Sequence, residues 1–159
     1  MTSPHPLLSA TAIAAMPEHI FGHPLNANAV RHTRSLAAAT GCLQLGVHLV
    51  RILPGHDSTE HHRHRGEEEF IYILSGRGIA HIGDDTFEVA SGDFMGFCPD
   101  SLAHSMHNPF EEDLVYLMGG TDLDYDVVDY PRQGKRMYRV GDRRTYEAMP
   151  KNPPCWWLR

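Results

Sequence analysis

From Cys42 onward the chain is written in short apolar runs, each closed by turn-forming residues. CLQLGVHLVRIL stops at Pro54-Gly55, EFIYILS at Gly76-Arg77-Gly78, GIAHI at Gly83-Asp84-Asp85 and TFEVA at Ser91-Gly92-Asp93. FMGFC, HSMHN and LVYLMGG follow. Runs of this length with such punctuation predict β-strands, about eight in all, and no useful helical period interrupts them between Cys42 and Gly120. Short antiparallel strands in that number predict an all-β domain closed as a jelly roll, which leaves few raw edges and an interior able to hold a site.

The flanks read differently. Residues 1–41 form an N-terminal arm and lead-in: Met1 to about Leu25 has no convincing period, and Ala29 to Ala39 suits a short helix or a strand equally. Residues 42–120 are the barrel. Residues 121–159 are a C-terminal extension with two more β-like pieces, Asp126 to Tyr130 and Arg136 to Val140. The chain ends in KNPPCWWLR, and paired tryptophans suit burial on the barrel or on a partner subunit better than exposure to water. A homodimer is expected, since two-fold pairing is the default for such chains.

At 159 residues the chain suits one domain with a sizeable core. A net charge of −6 without a basic stripe argues against nucleic-acid and anionic-membrane partners. Cys42, Cys98 and Cys155 form no CxxC pair and are odd in number, which fits unpaired thiols in a reducing compartment. LLSATAIAAM lacks the positive flank of a signal peptide, because the first basic residue is Arg31. The protein is expected in the cytoplasm. Histidine is the outlier: twelve residues raise the expectation of metal binding.

Those histidines concentrate in HHRHRGEEE, His61 to Glu69. Strand alternation points His62 and His64 to one side, about 6.6 Å apart along the chain, and His61, Arg63 and Arg65 to the other. With the arginines in water, His62 and His64 face inward and His61 is a surface bystander. A solvated charge run is the competing reading. Against it stands Glu69, which heads the inward row of Ile71 and Ile73, where a carboxylate is costly unless a cation meets it. Glu67 and Glu68 read as exposed loop acids, with Glu68 the reserve ligand should the register slip by one.

GHDSTEHHRHRGEEEFIYILSG resembles the first motif of the cupin superfamily, with Gly55, His62, His64, Glu69 and Gly76 in the matching places. Six residues rather than the usual five separate Gly55 from the first of these histidines. GDFMGFCPDSLAHSMHN is similar to the second motif and supplies Gly92, Pro99, His104 and Asn108, with one extra residue before Pro99 and Ser101 where glycine is usual. The resemblance spans roughly Leu43 to Gly119. The tail YLMGGTDLDYDVVDYPRQGK extends it, towards small single-domain bacterial cupins of mostly uncharacterised function. It implies a double-stranded β-helix in which His62, His64, Glu69 and His104 hold one divalent transition-metal ion (Fe, Mn, Ni or Zn). The residues themselves point the same way: His104 opens a strand after a proline-led turn, and its face continues through Met106 and Asn108. His107 falls on the opposite face, at the surface.

Three imidazoles and one carboxylate leave coordination positions open, as catalytic sites do. The function expected is a mononuclear metalloenzyme acting on a small polar or carboxylate-bearing substrate, of dioxygenase, lyase or decarboxylase, or isomerase type. The alternative is a non-catalytic module that binds or senses a small ligand. Tyr72, His48, His81 and Asn108 are candidates to orient substrate, each with a purely structural role as the competing reading. Nucleophilic hydrolysis finds no GxSxG elbow, and the turns GRG and GGT lack phosphate-loop spacing.

Overall fold

The computed structural model describes residues 4–150. A short helix, α1 (Ala10–Ala15), is capped by the Ser9 hydroxyl, which accepts the Ala12 N–H at 3.1 Å. Strands β1 (His19–His23) and β2 (Asn26–Ser35) follow, then one helical turn, α2 (Leu36–Ala39). Next come β3 (Leu45–Ile52), β4 (Arg63–His64), β5 (Glu69–Ser75), β6 (Arg77–Ile82) and β7 (Asp85–Ala90). The chain continues through β8 (Phe94–Phe97), β9 (His104–His107), β10 (Leu114–Thr121) and β11 (Tyr125–Tyr130). It closes with β12 (Lys135–Val140) and β13 (Arg143–Ala148). The all-β jelly roll expected from the punctuation is what the chain forms.

Three antiparallel sheets build the body: β1-β2-β3-β10-β5-β8, β7-β6-β9 and β13-β12-β11-β4. Alternation explains the core. Val50 and Ile52, Ile71 and Ile73, and Leu114 and Tyr116 point inward from three neighbouring strands, none more than 4% exposed. Tyr116 lies directly across from Val50 on one side and Ile73 on the other. Met95 and Phe97 of β8, and Ala80, Val89 and Met106 of the three-stranded sheet, complete the same cluster. Each large side chain so buried contributes about 1.5–3 kcal/mol. A smaller cluster of Val128, Tyr130 and Met137, with Leu25 against it, ties β11 and β12 to the chain ahead of β2.

Single backbone bridges sew the sheets together. The one that matters for function joins His62 to His104: the His62 N–H donates to the His104 carbonyl at 3.0 Å, and the His104 N–H donates back at 2.7 Å. Ala29 to Ala39, read as helix or strand, is both, with strand as far as Ser35 and then α2. β1 and β2 continue the sheet outward from β3, although no period flagged β1, and β13 too went unforeseen. No helix among the described residues is long and apolar enough to cross a membrane. The paired tryptophans and Cys155 lie outside the described residues, while Cys42 and Cys98 are free and exposed.

Close backbone packing positions β5. Gly120 of β10 sits opposite Glu69, and a Cβ there would run into the Glu68 carbonyl oxygen. Gly120→Ala is therefore expected to cost about 1–3 kcal/mol by overpacking. Gly22→Ala, with open space around the new methyl group, should stay within about 0.5 kcal/mol. Urea denaturation of the two variants checks the contrast.

Candidate metal centre

Four side chains meet where β4, β5 and β9 approach. The Glu69 Oε2 lies 3.1 Å from His104 Nε2, 3.6 Å from His64 Nε2 and 3.8 Å from His62 Nε2. Glu69 and His104 come inward at the starts of their strands, and His62 faces His104 through the backbone bridge, so the two rings stand 4.7 Å apart. Phe97 stacks flat on the His104 ring at 3.6 Å and fixes its plane. The sequence-predicted quartet His62, His64, Glu69 and His104 is thus brought together.

The donor chemistry suits a cation. His62 Nδ1 is 3.0 Å from the Glu60 carbonyl oxygen and His64 Nδ1 is 2.6 Å from Asp126 Oδ2, so both rings present Nε2 to Glu69. A carboxylate behind an imidazole in this way fixes the ring and raises its basicity towards a metal. Ligand bonds of about 2.0–2.2 Å put two donors on one ion roughly 3–3.5 Å apart. The distances to Glu69 approach that spacing. Donor atoms of His62, Glu69 and His104 all lie within 4.8 Å of one another, whereas His64 falls in a separate grouping with Glu67 and Asp126 and reaches the first through Glu69 alone, at 3.6 Å.

Charge in this site is set by burial and by neighbours. Burial drives the His62 imidazole well below its usual range, with the His104 charge pushing the same way. Burial opposes charge on His64 too, but the Asp126 hydrogen bond and the charges of Glu69, Asp126 and Glu67 outweigh it and raise that ring. Burial would raise Glu69, yet the His104 hydrogen bond and the charges of all three histidines hold it far below the carboxylate range.

A cavity of about 440 Å³ opens from this cluster, large enough for a small metabolite. Ile71, Tyr116, Met118, Val128 and Met137 give it apolar walls. His48 lines it, held neutral first by burial and then by the Arg31 charge, and its Nδ1 has no hydrogen-bond partner. Tyr130 stands 6.1 Å from the His62 ring and 5.4 Å from that of His23, and burial keeps its phenol protonated.

Other expectations are corrected. His61 is buried, not a surface bystander, and its Nδ1 lies 3.3 Å from the Ser105 Oγ. β4 is only two residues long, so alternation does not reach back to position 61. Arg63 and Arg65 do not simply face water, because both pair with the wholly buried Asp129, which Arg136 also grips at 2.6 Å. Burial opposes the Asp129 charge, but the arginines hold its carboxyl below the usual range. Glu67 is a buried acid that pairs with Arg139 and accepts the Leu123 N–H at 2.8 Å. Glu68 is exposed and belongs to neither grouping.

Of the orienting candidates only His48 reaches the cavity. Tyr72 faces outward, 41% exposed, and His81 sits outside it with its Nδ1 3.4 Å from the Thr86 hydroxyl. Asn108 holds a turn: its Nδ2 donates to the Ile52 and Glu112 carbonyls and its Oδ1 accepts the Phe110 N–H. His107 is partly exposed, with Nδ1 2.7 Å from Asp57 Oδ1. Asp126 and Tyr130 were missed, although alternation along YDVVDY puts them on one face with Val128 and offered the signal.

A family model described as a cupin domain matches residues 48–120. The crystal structure of a proposed sugar phosphate isomerase from Acidithiobacillus ferrooxidans is 44% identical, covers 92% of this chain and 94% of its own, and has a TM-score of 0.88. A sugar phosphate isomerase from a cupin superfamily, of Silicibacter pomeroyi, is 23% identical over 95% of this chain and 98% of its own, with a TM-score of 0.80, and shares the fold. Matches to curated relatives are shorter. An oxalate-binding protein of Thermotoga maritima is 35% identical over 65 residues, which is 41% of this chain and 53% of that protein. An uncharacterised protein of Methanocaldococcus jannaschii is 37% identical over 57 residues, 36% of this chain and 45% of that one. The chain thus spans about half the length of the curated relatives it matches.

His23 makes the cavity acid-sensitive. Burial, aided by the Arg31 charge, lowers it to about 4, against about 6.5 in the unfolded chain. As pH falls, the unfolded state takes the proton first, so this contribution is complete above about 6.5 and drains away towards about 4. In chelator, wild-type melting temperature is expected to drop more between pH 7 and pH 4.5 than that of His23→Phe. Parallel curves would remove His23 as a cause.

Proposed function

Since the chain belongs to the cupin superfamily, we propose that it is a mononuclear metalloenzyme of isomerase type, acting on a small oxygen-rich substrate. His62, His64, Glu69 and His104 hold one divalent transition-metal ion in this reading. The observation that carries it is the convergence of three Nε2 atoms on one carboxylate oxygen at 3.1–3.8 Å, beside the cavity. The bound ion supplies Lewis acidity towards a carbonyl or hydroxyl oxygen. Around it the apolar walls exclude water, the Tyr130 phenol donates a hydrogen bond to substrate, and the neutral His48 ring accepts a proton. Isomerase chemistry is favoured over the other types by the 44% identity, along nearly the whole chain, to the proposed sugar phosphate isomerase.

A second reading, a non-catalytic ligand-binding module, draws on the shorter likeness to the oxalate-binding protein. Isomerisation assays on aldose and ketose phosphates with metal-replete protein separate the two, since binding without turnover supports the module.

His62→Ala or His104→Ala should remove most bound metal by plasma emission analysis, while His107→Ala leaves it in place. Asp126→Asn should weaken metal affinity about 10–100-fold by loosening His64. Full metal retention in both His62→Ala and His104→Ala would refute the ligand assignment.

The chain is further read as a homodimer that pairs through the outward face of the six-stranded sheet. Leu45, Tyr72, Leu74 and Phe94 are 41–65% exposed there, with Leu49 and Leu117 between them. A face this apolar suits a second copy of itself. Light scattering should give twice 17.9 kDa, and Phe94→Glu should shift it towards the monomer.

A further inference from the structure

The cavity carries a feature that metal chemistry alone does not use. Three arginines line it: Arg31, Arg139 and Arg144. Arg139 is spoken for by Glu67 and Asp122. Arg31 and Arg144 have no carboxylate partner among the described residues, and neither have Arg132 and Arg143, which do not line the cavity, whereas Arg34, Arg51, Arg63, Arg65, Arg77 and Arg136 do.

We propose that Arg31 and Arg144, which line the same cavity as the His–Glu cluster, form an anion subsite that holds the phosphate of a phosphate-monoester substrate. This deepens the function proposed above and rests on it for the chemistry at the other end of the substrate.

Local structure aims both side chains. Thr33 lies across from Val50, which faces the core, so β2 turns Ala29, Arg31 and Thr33 inward together. Arg31 lies opposite Phe21 of β1, with its guanidinium 4.9 Å from the ring centroid, which holds the long side chain in place. Arg144 lies opposite Arg139 on the β12–β13 hairpin, two residues before Tyr146, and comes to the cavity from a different sheet. For Arg31, a half-buried guanidinium without a counter-charge is a standing cost that a bound anion removes, while Arg144 is exposed. The Arg31 charge is felt by His23, His48, Tyr116 and Tyr130, and that of Arg144 by Tyr130, so both bear on one space.

Tyr130 stands among both sets of residues, 6.1 Å from the His62 ring, 5.4 Å from that of His23 and 6.3 Å from that of Tyr146. A molecule that meets both the His–Glu cluster and the arginines is therefore oxygen-rich where it faces the first and anionic where it faces the second. Guanidinium forks match the oxygens of a phosphate better than any other side chain does.

Calorimetric titration of the metal-replete protein with ribose 5-phosphate, inorganic phosphate, ribose and oxalate tests this. Ribose 5-phosphate should bind at least about tenfold more tightly than ribose, and Arg31→Gln and Arg144→Gln should each erase at least about tenfold of that preference. Ribose affinity and metal content should not change. Arg144 is exposed on an edge strand, so its variant should fold even if the Arg31 variant does not. Equal affinity for ribose and its phosphate, wild-type binding by both variants, or a stronger arginine dependence for oxalate overturns the subsite. The metal reading fails separately: if His62→Ala and His104→Ala keep their metal while the arginine variants lose phosphate binding, the subsite stands and the metalloenzyme falls.

Discussion

A carboxylate shut in among three imidazoles governs this molecule. Glu69 is nearly enclosed, and an isolated buried anion would be costly. Its neighbours share the burden, but the same burial that isolates Glu69 also resists charge on His62. A cation would satisfy every donor at once, and the surrounding structure holds the donors in place for one. The reciprocal bridge between His62 and His104 sets two rings from the backbone, Phe97 clamps one of them, and Asp126 turns the third. Movement of any donor then requires breaking a hydrogen bond or a stack, which is how a site stays ready without its ion.

Much of this was legible in the chain itself. The strands from Cys42 to Gly120 could be read because turn residues punctuate them and because strand alternation has only two settings. Glu69 and His104 fell out of the same rule, since each opens an inward row that apolar residues continue. What failed was the extension of alternation into loops. His61 was assigned to water as though a strand ran straight through it, yet β4 lasts two residues, and Glu67 was read as a loop acid exposed to solvent although it is buried. Asp129 was invisible for a different reason. Two of its three arginines, at positions 63 and 65, come from far back along the chain, and only Arg136 is a hairpin neighbour, directly across from Asp129.

The cavity walls were the hardest part to foresee. Besides Ile71, Tyr116 and Met118 of the barrel, they come from β1–β2 ahead of it and from β11–β13 behind it, outside the punctuated run. Arg31 looked like any surface arginine until pairing with β1 and β3 turned it inward. Long-range strand pairing decides such positions, and a single sequence does not display it.

That division of labour bears on how substrate choice is inherited in such a fold. The quartet proposed to hold the metal lies wholly within residues 48–120, the part that matches the cupin family model, while Arg31, Tyr130 and Arg144 lie wholly outside it. A relative that shares only the central stretch shares the proposed cradle, with His48 and part of the apolar wall, and is free to differ at the arginines and Tyr130. Ancestry can therefore swap the selecting walls as a cassette while the reactive floor stays as it was. Kinship in substrate has to be sought at the two ends of the chain, where the fold keeps its vocabulary for telling one metabolite from another.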